Sequence, residues 1–119
     1  MSGLTTHILD LSHGQPASNV LVELYALESS SKKGKLITSA KTNPDGRLNS
    51  PLLYADNFQN GTYELVFHIG AYFQEKEITL PNPPFLDTIP VRFNISDVSS
   101  HYHVPLLISP WGYQIYRGS

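Results

Sequence analysis

Apolar and polar side chains alternate with a period of two through most of this chain. Residues 4–11, Leu-Thr-Thr-His-Ile-Leu-Asp-Leu, are rich in β-branched residues and predict a first strand, on which His7 shares a face with Thr5 and Leu9. In residues 20–28 apolarity alone fits a helix or a strand. The alternation of Val20, Val22, Leu24 and Ala26 against Leu21, Glu23 and Tyr25 favours the strand. Leu36 to Thr42 repeat the period. Tyr63, Leu65, Phe67 and Ile69 alternate with Thr62, Glu64, Val66 and His68, which predicts a half-buried strand with a structural His68 on its less apolar face. Ile89, Val91, Phe93 and Ile95 alternate with Pro90, Arg92 and Asn94, and Pro90 puts that strand at an edge or a start. Residues 102–109 and 112–117 predict a closing pair joined at Ser109-Pro110. On the first of these, His101, His103, Pro105 and Leu107 share one face, and Tyr102, Val104, Leu106 and Ile108 the other.

Turn chemistry separates these runs. Ser12-His13-Gly14-Gln15-Pro16 is a turn cluster that leaves His13 exposed and idle. Asn43-Pro44-Asp45-Gly46 combines a preset φ at Pro44 with a positive-φ corner at Asp45-Gly46, and Arg47 follows at its mouth. Residues 57–62 form another turn. Lys32-Lys33-Gly34-Lys35 reads as a solvated loop tip, and the sequons at Asn60 and Asn94 as chance matches. Residues 70–76 predict one short helix, and Pro81, Pro83 and Pro84 an extended linker. Seven or eight short strands at regular spacing argue for an all-β, antiparallel Greek-key sandwich built as one domain over residues 1–119.

Composition narrows the function. A net charge of −2 gives no basic footprint for nucleic acid. With no cysteine there is no disulfide framework, thiol nucleophile or thiolate metal site. No stretch is long and apolar enough to span a membrane, and no signal segment is visible, so the cytoplasm is the default compartment. A charged fraction of 15% leaves room for subunit interfaces, whose cores are poor in charge.

Candidate chemistry gathers at the C-terminal end, which carries two histidines, an aromatic run and Arg-Gly-Ser. His101 and His103 on one strand face, with His7 as a third ligand, could hold zinc, but the spacing is unspecific. There is no nucleophile elbow. General acid–base work by neutral imidazole remains, with an arginine to stabilise developing negative charge. His7, Arg47 and His103 supply those groups from three separated points of the chain.

Three stretches carry a family resemblance: Leu4-Thr5-Thr6-His7-Ile8-Leu9-Asp10, Thr42-Asn43-Pro44-Asp45-Gly46-Arg47, and His101 to Ser119 with its terminal Tyr116-Arg117-Gly118-Ser119. In that order they resemble the transthyretin-like 5-hydroxyisourate hydrolases of purine breakdown over nearly the whole length. The resemblance implies a transthyretin-like fold of two four-stranded sheets and one short helix. It implies a homotetramer, a dimer of dimers with sites in the channel between dimers. The implied reaction is hydrolysis of 5-hydroxyisourate to 2-oxo-4-hydroxy-4-carboxy-5-ureidoimidazoline, with no cofactor and no metal. It makes His7, Arg47 and His103 the catalytic set and adds Tyr116, Arg117, Gly118 and Ser119 to the substrate pocket. His103 would activate water, His7 would support the proton transfer, and Arg47 would bind the ring and the oxyanion. His101 is then a near neighbour of His103. The chain departs from the family at Trp111 and Gln114-Ile115, which bear on pocket shape rather than on the reaction. Strand parity carried to the chain end would turn Arg117 and Ser119 to one face and Tyr116 and Gly118 to the other. The alternative is a transthyretin-like small-molecule carrier using the same channel, a lineage expected to lack the three catalytic residues and the terminal signature.

Overall fold

The computed structural model describes residues 2–28, 34–76 and 78–118, so the 29–33 part of the lysine loop and Ser119 lie outside the described residues. Two sheets enclose one core. In the first, β2 (Gln15–Pro16), β1 (Gly3–Asp10), β8 (Tyr102–Ser109) and β9 (Gly112–Ile115) lie side by side, and β5 (Leu53–Tyr54) also pairs with β1. The second has the order β4 (Gly34–Lys41), β3 (Leu21–Leu27), β6 (Gly61–His68) and β7 (Thr88–Ile95). One short helix, α1 (Ile69–Gln74), follows β6 directly, and residues 81–84 contain a cis Asn82–Pro83 bond. The alternation read from the sequence is the burial pattern along β1, β3, β6, β7 and β8, whereas the edge strand β4 is exposed along almost its whole length. Leu4, Ile8, Leu106 and Ile108 from the first sheet meet Val22, Leu24, Leu65 and Phe67 from the second in the core.

Two features differ from a plain four-plus-four antiparallel sandwich. The first sheet has a fifth strand, the two-residue β5. Its central pairing, β1 with β8, is parallel, running from Leu4↔Tyr102 to Asp10↔Ile108. Parallel neighbours need a long connection, and here most of the chain intervenes. One edge of β1 is therefore occupied by β8. The other edge is shared by β5, the 43–47 turn and β2.

Buried polar groups fix this arrangement. Thr6 points into the core and donates its hydroxyl to the Val104 carbonyl at 2.7 Å, tying β1 to β8. Thr42 donates to the Ala17 carbonyl at 2.7 Å and accepts from the Val20 amide at 2.9 Å, which anchors the base of the 43–47 turn. At the end of β1, the buried Asp10 carboxylate accepts from the Ser12 amide and hydroxyl, from His13 Nδ1 at 2.6 Å and from the Tyr72 hydroxyl at 2.8 Å. Burial works against its charge, but the hydrogen bonds from Ser12, Tyr72 and His13 outweigh it and hold Asp10 below the usual carboxylate range. His13 is thus exposed but not idle, since it helps to fasten the α1 residue Tyr72 to the end of β1. His68 has the structural role expected of it, in a 2.6 Å contact with Glu23.

Candidate active site

His7 and Arg47 meet because a turn is clamped to the free edge of β1. The Asn43 carbonyl accepts the Gly46 amide at 2.9 Å, and Asn43 Oδ1 accepts the amides of Asp45 and Arg47 at 2.9 and 3.1 Å. Gly46 takes the positive φ of 75° that closes the turn. Its carbonyl accepts the Ile8 amide at 2.9 Å, and Arg47 forms an antiparallel bridge with His7. Across the turn, His7 Nε2 lies 3.1 Å from the Asp45 carbonyl oxygen. A carbonyl only accepts, so Nε2 carries the proton and neutral His7 keeps a bare Nδ1.

His103 reaches the same outer face from the other edge of β1. Parallel register pairs it with Thr5, two residues before His7. The imidazoles of His7 and His103 have centroids 6.5 Å apart and are tilted by 34°. Thr5 Oγ1 lies 2.8 Å from His103 Nδ1 and 3.0 Å from His101 Nε2. Gly118 bridges back to His103, its amide donating to the His103 carbonyl at 2.7 Å. A Cβ at Gly118 would stand 3.1 Å from His103 Cδ2 and 3.2 Å from the Pro105 ring, so glycine lets the tail lie against the imidazole. A cleft of about 110 Å³ opens beside this group, lined by Thr5, Thr6, Arg47, Leu48 and Ser50.

Both histidines are held below their ordinary pKa. Burial is the main cause for each, and the Arg47 charge is the next. His103 is depressed further by His7 and His101, while the Asp45 carbonyl and carboxylate partly oppose the effect on His7. Two neutral imidazoles beside a permanent cation can take a proton from water and hold negative charge on an attacked carbonyl. Among the described residues no cluster of three or more His, Cys, Asp or Glu side chains is arranged to hold a metal ion.

The tail keeps strand parity past the end of β9 at Ile115, because the His103–Gly118 bridge continues the register of the β8–β9 pairs and sets Gly118 and Arg117 on opposite faces. Arg117 turns to the opposite side of the sheet from His103. Its guanidinium carbon sits 4.0 Å from the centroid of the inward-facing Tyr102 ring, and its Nη2 donates to the His101 carbonyl at 3.3 Å. A cation over an aromatic face is a favourable position that the strand pattern does not display. Tyr116 and Arg117 line a separate cavity with Val91, Phe93 and Val104. Of the four terminal residues, only Gly118 is described at the histidines. Tyr116 and Arg117 do not join them in the protomer, and Ser119 lies outside the described residues.

A family model described as the HIUase/Transthyretin family matches residues 4–118. The chain belongs to this family. A 5-hydroxyisourate hydrolase of Rhizobium meliloti is 52% identical over 116 residues, covering 98% of this chain and 95% of that protein. Among solved structures, an (S)-allantoin synthase superposes with a TM-score of 0.92 at 42% identity, over 99% of this chain but only 44% of its own. Transthyretin from Sparus aurata superposes with a TM-score of 0.87 at 25% identity, over 99% of this chain and 97% of its own. The transthyretin-like fold expected from the sequence is therefore observed.

Within this HIUase/Transthyretin chain the unusual Trp111 lies beyond the far end of β8 from His103, where it packs on Phe85 with centroids 5.8 Å apart. Gln114 and Ile115 pair with Leu107 and Leu106, also away from His103. Thr5 is the site residue that sequence reasoning passed over. Its shared face with His7 was legible, but its contact with His103 depends on the parallel register.

Proposed function

We propose that this protein is a 5-hydroxyisourate hydrolase that opens the ring of its substrate to give 2-oxo-4-hydroxy-4-carboxy-5-ureidoimidazoline. The observation that carries this reading is the outer-face cluster of two neutral imidazoles beside Arg47. The naming of full-length relatives at up to 52% identity as hydrolases supports it over a carrier. In the reaction, water attacks the ring carbonyl and loses a proton to His103. Arg47 stabilises the oxyanion, and the proton passes to the departing ring nitrogen. His7, fixed by the Asp45 carbonyl, presents its bare Nδ1 to substrate or water.

The proposal includes a homotetramer, a dimer of dimers. In its favour, the cleft of about 110 Å³ falls short of the roughly 300–1,000 Å³ usual for a ligand pocket, so a second protomer would complete the enclosure. Tyr116, Arg117 and Ser119 are kept as pocket residues on that assembly. The cysteine-free sequence is compatible with a reducing cytoplasm, the compartment proposed here. No described helix is long and apolar enough to cross a membrane.

The test is to oxidise urate enzymatically, add the protein while 5-hydroxyisourate persists, and follow the decay of its ultraviolet absorbance. Catalytic amounts should make the decay much faster than the spontaneous reaction. A decay equal to the blank, with saturable binding of the compound, would instead favour a carrier.

A further inference from the structure

The Thr5 hydroxyl stands between two imidazoles, 2.8 Å from His103 Nδ1 and 3.0 Å from His101 Nε2. It has one proton to donate and two lone pairs to accept with, so it can bridge the two rings by accepting from one and donating to the other, in either sense. In one arrangement His103 Nδ1–H donates to Thr5, and Thr5 donates to a bare His101 Nε2. In the other, His101 Nε2–H donates to Thr5, and Thr5 donates to a bare His103 Nδ1. A neutral imidazole carries one ring proton. The first arrangement therefore leaves His103 Nε2 bare and basic, and the second leaves it protonated. The switch between a base and an acid at His103 is thus coupled, through one hydroxyl, to His101.

We infer that Thr5 and His101 form a proton relay behind His103, which delivers to His101 the charge that His103 would otherwise hold. This rests on the hydrolase reading. As the water oxygen bonds to the carbonyl carbon, its proton goes to His103 Nε2. His103 Nδ1 passes its proton to Thr5 Oγ1, and Thr5 passes its own to His101 Nε2. His103 and Thr5 end neutral, and His101 carries the charge. When the tetrahedral intermediate collapses, the C–N bond breaks, His103 Nε2 protonates the departing nitrogen, and the relay runs backwards. No proton is gained or lost.

Placement of charge gives the relay its purpose. His103 is half-buried and shares its face with Arg47 and His7, so a positive charge there is desolvated and repelled. His101 is exposed, and water solvates its charge. Thr5 and His103 are register partners on adjacent strands, so the sheet itself holds the hydroxyl in place. Thr5 and His101 act through His103 and are positioning residues.

Thr5→Val, Thr5→Ser and His101→Gln test this, by steady-state kinetics on 5-hydroxyisourate and by 15N NMR of the histidines in the resting protein. Thr5→Val keeps the shape and loses the hydroxyl, and kcat should fall about 10- to 100-fold with KM within about twofold. Thr5→Ser restores the hydroxyl and should bring kcat to within about threefold of the parent. His101→Gln keeps a hydrogen-bonding side chain that cannot take up a proton, and should lower kcat as Thr5→Val does. The double variant should be no slower than Thr5→Val alone, because both break one path. Full kcat in Thr5→Val or in His101→Gln overturns the relay.

The NMR arm needs no substrate. In the parent, one of the two ring nitrogens facing Thr5 should be protonated and the other bare, and Thr5→Val should change the tautomers of both rings. Tautomers that Thr5→Val leaves unchanged overturn the relay even if hydrolysis stands. Linked tautomers in a protein that does not hydrolyse 5-hydroxyisourate would uphold the hydroxyl bridge and sink the reaction instead.

Discussion

Replacing His103 with alanine lowers kcat for 5-hydroxyisourate by about 10²- to 10⁴-fold, the range that a positioned general base supplies. Its imidazole is half-buried on the outer face of the sheet, so its removal opens no core cavity. The main-chain bonds and the Thr6 hydroxyl that tie β8 to β1 survive the change, and only the partly exposed Thr5–His103 hydrogen bond is lost. The melting temperature should therefore move little while turnover collapses. Steady-state kinetics beside a thermal melt will show whether the two separate. A kcat within about threefold of the parent would remove His103 from the mechanism. A loss of folding equal to the loss of rate would make it a structural residue.

Gly46→Ala should damage both stability and rate, from a position that carries no side chain. A Cβ there would stand 2.4 Å from the Ile8 carbonyl oxygen and 3.1 Å from Pro16 Cβ. The residue also needs a φ of 75°, which an L side chain rarely adopts. Backbone cannot yield as a flexible side chain can, so the turn must lift from the edge of β1. A cost of about 2–4 kcal/mol is expected. Lifting the turn breaks the bond from the Ile8 amide to the Gly46 carbonyl and moves Arg47 away from His7. kcat/KM should fall further than the remaining folded fraction accounts for. The check is denaturant unfolding together with kinetics at a temperature where the variant is fully folded. Parent-like values of both would mean that the turn tolerates a different seat.

The fold was largely legible because alternation is a local property. Each long strand announces itself within eight residues, and its buried face follows from the period except in β4, which is exposed on both faces. The parallel pairing of β1 with β8 was not legible, since Thr5 and His103 are 98 positions apart and nothing local marks their register. The same gap hid Thr5 as a site residue. It also kept residue chemistry alone from joining His7, Arg47 and His103, which came together through the family resemblance. The turn was the readable part of the site: Asn43, Pro44 and Gly46 each have a conformational reason that shows in sequence. Parity separated Arg117 from Gly118 but could not say which of them faces His103. The register pairs Gly118 with His103 and leaves the guanidinium over the Tyr102 ring on the other side.

In the proposed mechanism, neutral His103 and His7 work beside the Arg47 charge as one site. The dependence of kcat/KM on pH reports groups of the free enzyme and tests this most directly, measured for the parent and for Arg47→Gln. The active form has neutral imidazoles, and burial and Arg47 both disfavour their protonation. Activity should therefore hold as the pH drops to the ordinary histidine value of 6.5 and fall only below it. Removing the guanidinium charge raises both histidine pKa values, so the acid limb of Arg47→Gln should move up, on top of a lower plateau. An acid limb at or above 6.5 in the parent, or one that stays put when Arg47 is replaced, would show that the three residues do not act as one site.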